Sequence, residues 1–347
     1  MSIIVLKLPD VKVMTAHRPA KCPSCKGEIL QRWGGQVRKI RDPQVKEVII
    51  YRYRCTYCRH TFRDYPEGVD QAQQSQRLRK LAAICWSLGL SHRANAAVFA
   101  AFGVGIARMT AWRDVQEEAG KLRQKRIWKP VRVLGVDGAY VRGWGETNSV
   151  LVAVDMGDGK PVAIGVVDER NPQSVRRWLE PLVKRLGVSV IVTDDLASYR
   201  IAADKLDLEH QVCQFHVRRW VGRTLRDLHE KVPEDWLWVL DEVRQLLQDL
   251  PPSGGQRLFE LWTQVPNLRT GQHGPLSPLD VLRNLLIRMS QHWESYRVFE
   301  WQNGVPWTNN LTEQVIGRMK IRSKSVRGYK SEAGLLSGFM LTGSGVC

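Results

Sequence analysis

The sequence predicts an α/β protein, in which a mixed sheet carries an all-helical insertion and follows two smaller modules. Three observations carry this reading. Residues 1–70 hold two Cys-x-x-Cys pairs between strand-like runs, residues 129–219 alternate short β-branched runs with helical stretches, and residues 220–304 turn wholly helical. The chain divides accordingly into 1–70, 71–128, 129–219, 220–304 and 305–347.

In the first module, Cys22-Pro-Ser-Cys25 and Cys55-Thr-Tyr-Cys58 form two tight knuckles. Four thiolates on two such turns suit one tetrahedral Zn²⁺ with all positions filled, hence a structural zinc ribbon. Neither pair lies in a βαβ context, which argues against redox chemistry, and His60 reads as a solvated neighbour. In 71–128, a helix over 73–88 precedes a second over 94–101, with Ser91 placed to cap it. Phe102-Gly103-Val104-Gly105 breaks the pattern before a third helix over 106–119. Two short helices across a glycine-containing turn describe a helix-turn-helix-like module, with Arg108 and Arg113 directed at DNA; a plain three-helix bundle is the alternative.

From 129 onward, strands are predicted over 131–136, 149–155 and 161–167, a helix over 172–186, a strand over 188–193, a short helix over 201–206 and a strand over 211–215. This is the element order of an RNase H-like sheet. Asp137 follows the first strand and Asp194 ends the fourth, so adjacent central strands would bring two carboxylates to one sheet edge. Such a pair repels itself and favours Mg²⁺ or Mn²⁺, which prefer hard oxygen ligands. A third acid is expected on a packed helix, and Glu313 is the candidate. Three carboxylates can hold two cations for phosphoryl transfer. Lys320, seven residues after Glu313, would share its helix face and reach a nearby phosphate. Asp195 and Asp155 compete as cap or turn residues. In 220–304, Trp236, Val239, Leu240, Val243, Leu246, Leu247 and Leu250 recur at helical spacing as the core of an inserted subdomain; Trp301 and Trp307 also read as core.

Fifty-two Lys and Arg against 35 Asp and Glu leave a charge of +17, which favours a polyanion through counterion release. The longest uncharged run, 94–107, is too short to span a bilayer, and the N-terminal apolar run is too short for a signal peptide. A reducing cytoplasmic setting, associated with the nucleoid, is therefore expected, with cysteines as thiols or metal ligands.

Asp137, Asp194, Cys213-Gln-Phe-His216 and Trp307-Thr-Asn-Asn-Leu-Thr-Glu313, in that order, resemble bacterial and archaeal insertion-sequence DDE transposases. The Cys-x-x-His looks like that of the Mutator-like branch, and Gly317-Arg-Met-Lys320 is similar to the family's ending. The resemblance implies an RNase H-like catalytic domain split by a helical insertion, with Asp137, Asp194 and Glu313 as the ligands of two Mg²⁺ or Mn²⁺ ions. It also implies nicking at transposon ends, transfer of the 3′-hydroxyl into target DNA, and a homodimer or higher oligomer on DNA. Cys213 and His216 would be structural or DNA-positioning. Arg218, Arg219, Arg318, Lys320 and Arg322 adjoin the expected metal site and suit backbone phosphates. The competing readings are a transposase-derived regulator without catalysis and an RNase H-like nuclease that cuts but does not join.

Overall fold

The computed structural model describes residues 8–124, 129–143, 149–268, 276–325 and 328–343. They form two units: one of Met1–Arg126, Arg142–Trp144 and Arg318–Cys347, the other of Ile127–Val141 and Gly145–Gly317.

The first unit opens with three antiparallel strands, β1 (Leu30–Lys39), β2 (Glu47–Cys55) and β3 (Thr61–Asp64), in that order across the sheet. Period-two alternation in β2 turns Val48 and Ile50 inward, where they pack with Ile40 and Val69. The connection between β1 and β2 is tied to the next helix by Asp42, which accepts hydrogen bonds from Ser75 Oγ at 2.5 Å and Arg77 Nη2 at 2.6 Å. Burial raises the Asp42 pKa, but Arg77, Ser75 and the Val45 and Gln44 N–H groups outweigh it and hold the carboxyl at about 2. Helices α1 (Gln76–Ser87) and α2 (His92–Ala101) begin at Ser75 and Ser91, whose hydroxyls accept the Leu78 and Ala94 N–H groups. Gly103, at φ +71°, supplies the left-handed turn before α3 (Arg108–Gln124). Leu78, Ala82, Phe99, Val104, Ile106 and Ala111 form the core of the three helices.

The second unit is built on β4 (Val133–Ala139), β5 (Ser149–Asp155), β6 (Pro161–Val167), α4 (Pro172–Leu186), β7 (Val190–Thr193), α5 (Ala197–Lys205), β8 (Glu209–Val212) and α6 (Gln214–His229). Its five-stranded sheet has the order β6-β5-β4-β7-β8, antiparallel from β6 to β4 and parallel from β4 to β8. The sheet is therefore mixed, as the element order predicts. Every residue of β5 is buried, which its apolar run from Val150 to Val154 allows. In α4, Asn171 caps the first turn, Gly187 ends the last at φ +71°, and Val175, Leu179, Leu182 and Leu186 form the buried stripe. The boundaries of β4, β7, α5 and β8 differ from expectation, most at α5 and β8. The short helix starts at Ala197 rather than 201, and the last strand ends at Val212 rather than 215, because Cys213 already caps α6.

The insertion contains α7 (Leu237–Asp249), α8 (Gly254–Gln264) and α9 (Pro278–Gln291). Val239, Leu240, Val243, Leu247 and Leu250 join Val217, Val221 and Leu225 of α6 in one core, with Trp236 and Leu246 partly buried against it. Trp301 and Trp307 are corrected: they are 46% and 52% exposed, and Arg218 lies over the Trp307 ring at 5.9 Å.

Three helices end the chain: α10 (Asn310–Met319), α11 (Ile321–Ser325) and α12 (Glu332–Gly343). Residues 305–347 do not stay together with the sheet. Arg318–Cys347 belongs to the first unit, because the apolar α12 buries Leu335, Phe339 and Leu341 and packs on α1 and α3. Among the described residues, no helix is long and apolar enough to cross a membrane.

Candidate active site

The site in the second unit starts from the register of its central strands. β4 and β7 run parallel with Leu134 beside Ile191 and Gly135 beside Val192. Parallel neighbours point their C-terminal ends the same way, so Asp137 in β4 and Asp194 just after β7 emerge at one edge. One carboxylate oxygen of each lies within 4.8 Å of the other, and within 4.8 Å of a carboxylate oxygen of Glu169. Asp195 points elsewhere: Arg200 and Arg288 bind its two oxygens at 2.9 and 2.6 Å. Asp155 is a turn acid, accepting the Gly157 N–H at 2.8 Å and pairing with Lys129 at 3.0 Å.

Glu169 escapes the sequence reading. It sits in Asp168-Glu-Arg-Asn171, between β6 and the cap of α4, where an acid usually faces water. Here it is 5% exposed. Its N–H donates to Ser149 Oγ at 3.2 Å, and that hydroxyl donates to Val167 O at 2.6 Å, so the loop is fixed to β5 and β6.

Burial, opposed by the Gly138 N–H and reinforced by Asp194, Glu169 and Glu313, pushes Asp137 up to about 7. Burial also raises Asp194, and it raises Glu169 together with the Asp194 charge. Three carboxylates in mutual repulsion, Glu169 buried and the two aspartates half-buried, are a hard, anionic donor set, which fits a divalent cation of the Mg²⁺ or Mn²⁺ type.

Glu313 occupies a neighbouring cluster. Its Oε1 is 3.0 Å from His216 Nε2, and both lie with Cys213 Sγ in a set of potential ligand atoms within 4.8 Å of one another. The start of α10 is clamped nearby: Asn309 Nδ2 donates to Val136 O at 3.0 Å, and the Asn309 N–H reaches Cys213 Sγ at 3.3 Å. Gly135 is needed for that approach, since a Cβ there would collide with Thr312, Met156 and Asn309. Glu313 is thus close enough to raise Asp137 yet bonded to His216 rather than grouped with the two aspartates.

A cavity of about 470 Å³ opens beside Asp194, lined also by His216, Arg219, Arg223, Trp220 and Arg288. Arg218, Arg219 and Arg223 lie on the exposed face of α6, as Arg108 and Arg113 do on α3 and Arg318 does on α10. Two expectations need correction. Lys320 does not continue the face of Glu313, because α10 stops at Met319 and Lys320 lies in a turn before α11. Arg322 is no surface cation: it is 6% exposed, stacks on Trp86 at 3.7 Å and donates to Trp86 O, and burial lowers its pKa to about 10.

In the first unit, Cys22, Cys25, Cys55 and Cys58 converge, with sulfur pairs 3.7 and 3.5 Å apart. A tetrahedron with bonds of about 2.3 Å requires sulfurs about 3.8 Å apart, so the four fit a thiophilic ion such as zinc.

Among curated proteins, none matches this chain. Among solved structures, the catalytic core domain of BIV integrase aligns at 16% identity, with a TM-score of 0.20, over 44% of this chain and 95% of that one. The family described as "Transposase IS66 family" matches residues 150–336, more than half of the chain and a span that includes Glu169, Asp194, His216 and Glu313. The chain therefore belongs to the IS66 transposase family.

Proposed function

We propose that this chain is a DDE transposase with an RNase H-like catalytic domain, which binds transposon ends, cleaves DNA and joins the freed 3′-hydroxyl to a target. The observation that carries the reading is the convergence of Asp137 and Asp194 from neighbouring parallel strands, in a member of a transposase family. When bound, a pair of Mg²⁺ or Mn²⁺ ions would activate the attacking oxygen and stabilise the leaving one. Asp137 and Asp194 would hold that pair, with Glu313 as the helical acid of the triad. His216 holds Glu313 in place, and Cys213 fixes the start of α10, which gives the Cys-x-x-His a positioning role. This motif is the basis for relating the chain to the Mutator-like branch.

Arg218 and Arg219, with Arg223, would hold backbone phosphates beside the acids, while Arg108, Arg113, Arg318 and Lys320 would add contacts to transposon ends. The first unit would serve as the end-binding module, its ribbon stabilised by one Zn²⁺ and its α2–α3 pair read as a helix-turn-helix. Synapsis of two ends calls for at least a homodimer on DNA, at work on the nucleoid in the cytoplasm.

The test uses the full chain, Mg²⁺ and DNA bearing the element's inverted repeats. Asp137→Asn, Asp194→Asn and Glu313→Gln should each reduce cleavage about 10³-fold or more while end binding survives, since the charge-stabilising machinery and not the DNA contacts is removed. Wild-type cleavage by Asp137→Asn or Asp194→Asn would sink the proposal. Precut ends that are never joined would make the chain a nuclease.

A further inference from the structure

Glu169 has the surroundings of a cation ligand rather than of a loop acid. It is 5% exposed; the Ser149 and Tyr199 hydroxyls lie beside its carboxyl, but its Oε2 lacks a hydrogen bond of normal geometry. Burying a carboxylate beside two others, with hydroxyls as its polar neighbours, is costly, and a bound cation would offset that cost. Tyr199, fully buried, turns its hydroxyl toward the Glu169 carboxyl. Among the described residues, no lysine or arginine is within ion-pair distance of Asp137, Glu169 or Asp194, Arg170 easing the Glu169 charge from further off, although Asp195 next door takes two. The carboxyl is also accommodated by the neighbouring sequence. Gly138 follows Asp137 directly, and a Cβ at that position would overlap the Glu169 carboxyl group. Three carboxylates from β4, the β6–α4 loop and the end of β7 are thereby brought within 4.8 Å of one another. The expected third ligand is engaged differently, since Glu313 is bonded to His216 at 3.0 Å.

We propose that Asp137, Glu169 and Asp194 form a complete site for one hard divalent cation, Mg²⁺ or Mn²⁺, that does not require Glu313. The inference rests on the DDE reading above and adds a ligand to it. Glu313 would then serve the second cation, which needs DNA or the release of His216 to assemble.

Titration of the zinc-loaded full chain with Mn²⁺, followed by electron paramagnetic resonance without DNA, tests this. The parent and Glu313→Gln should bind one Mn²⁺ with affinities within about threefold, whereas Glu169→Gln should weaken binding about tenfold or more. Gly138→Ala, which displaces the Glu169 carboxyl while keeping every acid, should weaken it as well. Unchanged thermal melting of Glu169→Gln excludes a folding defect; if that variant is unfolded, Gly138→Ala and Glu169→Asp decide the matter. Mn²⁺ binding that survives Glu169→Gln but is lost in Glu313→Gln overturns the inference and leaves the DDE reading intact. So does Mg²⁺-dependent cleavage by a parent that binds no Mn²⁺ in the absence of DNA. A parent that neither binds Mn²⁺ nor cleaves overturns both.

Discussion

The four cysteines of the first unit and the acids of the second are both clusters of potential metal ligands, yet they are assembled in opposite ways. Cys22, Cys25, Cys55 and Cys58 come from two local turns joined by one hairpin, and the sulfurs meet at 3.5 and 3.7 Å. The carboxylates come from two strands and a loop spread over residues 137–194, with a further acid at 313 bonded to a histidine. A site whose ligands sit in pairs three residues apart is specified by local backbone geometry. A site gathered across a sheet is specified by register and by small residues, Gly135 and Gly138, that let neighbouring groups approach. The soft site consequently supports the fold, while the hard site strains it by burying like charges.

The largest effect should come from the cysteines. Cys55→Ser should lower bound zinc from about one equivalent toward none and unfold β2 and its neighbours, since structural zinc contributes about 10–16 kcal/mol in small domains. Metal analysis and hydrogen exchange read this directly; full protection of β2 without zinc would show that the cysteine site does not support the fold.

The acids predict the reverse sign. Asp137, held at about 7, binds a proton in the folded state that an unfolded chain with an ordinary pKa near 4 has lost. Stability contributed by that proton is present at low pH and is lost as pH rises from about 4 through 7. Asp137→Asn should therefore stabilise the metal-free second unit at pH 8, by about 2–4 kcal/mol, and flatten its melting temperature between pH 5 and 8. Destabilisation at pH 8 would show that the acid cluster is not strained.

Asp42 supplies a structural counterpart in the first unit. Its depressed pKa of about 2 contributes stability above the unfolded value near 4, lost as pH falls through 2. Asp42→Asn should cost about 2–3 kcal/mol at pH 7, by chemical denaturation, and little at pH 2. The smallest effect separates two arginines. Arg322→Ala should cost about 1–2 kcal/mol through its lost stack on Trp86. Arg113→Ala should leave stability within about 0.5 kcal/mol but reduce the salt dependence of DNA binding by about one counterion.

Much of this was legible in the residues themselves. β5, β6 and α4 begin and end where the short β-branched runs and the helical spacing of 172–186 place them. The cysteine knuckles and the two aspartates were visible because each follows a local rule: paired spacing, or an acid ending an apolar run. Tertiary structure decided the rest. Glu169 resembles a solvated loop acid until β5 and β6 fold its backbone under the sheet edge, and Glu313 is bonded to His216 because Asn309 clamps α10 beside the start of α6. Arg322 reads as a surface cation until α1 closes over it with Trp86. Local rules fix which residues form each element. They do not determine which side chains meet across elements, because that depends on packing between segments far apart in the chain.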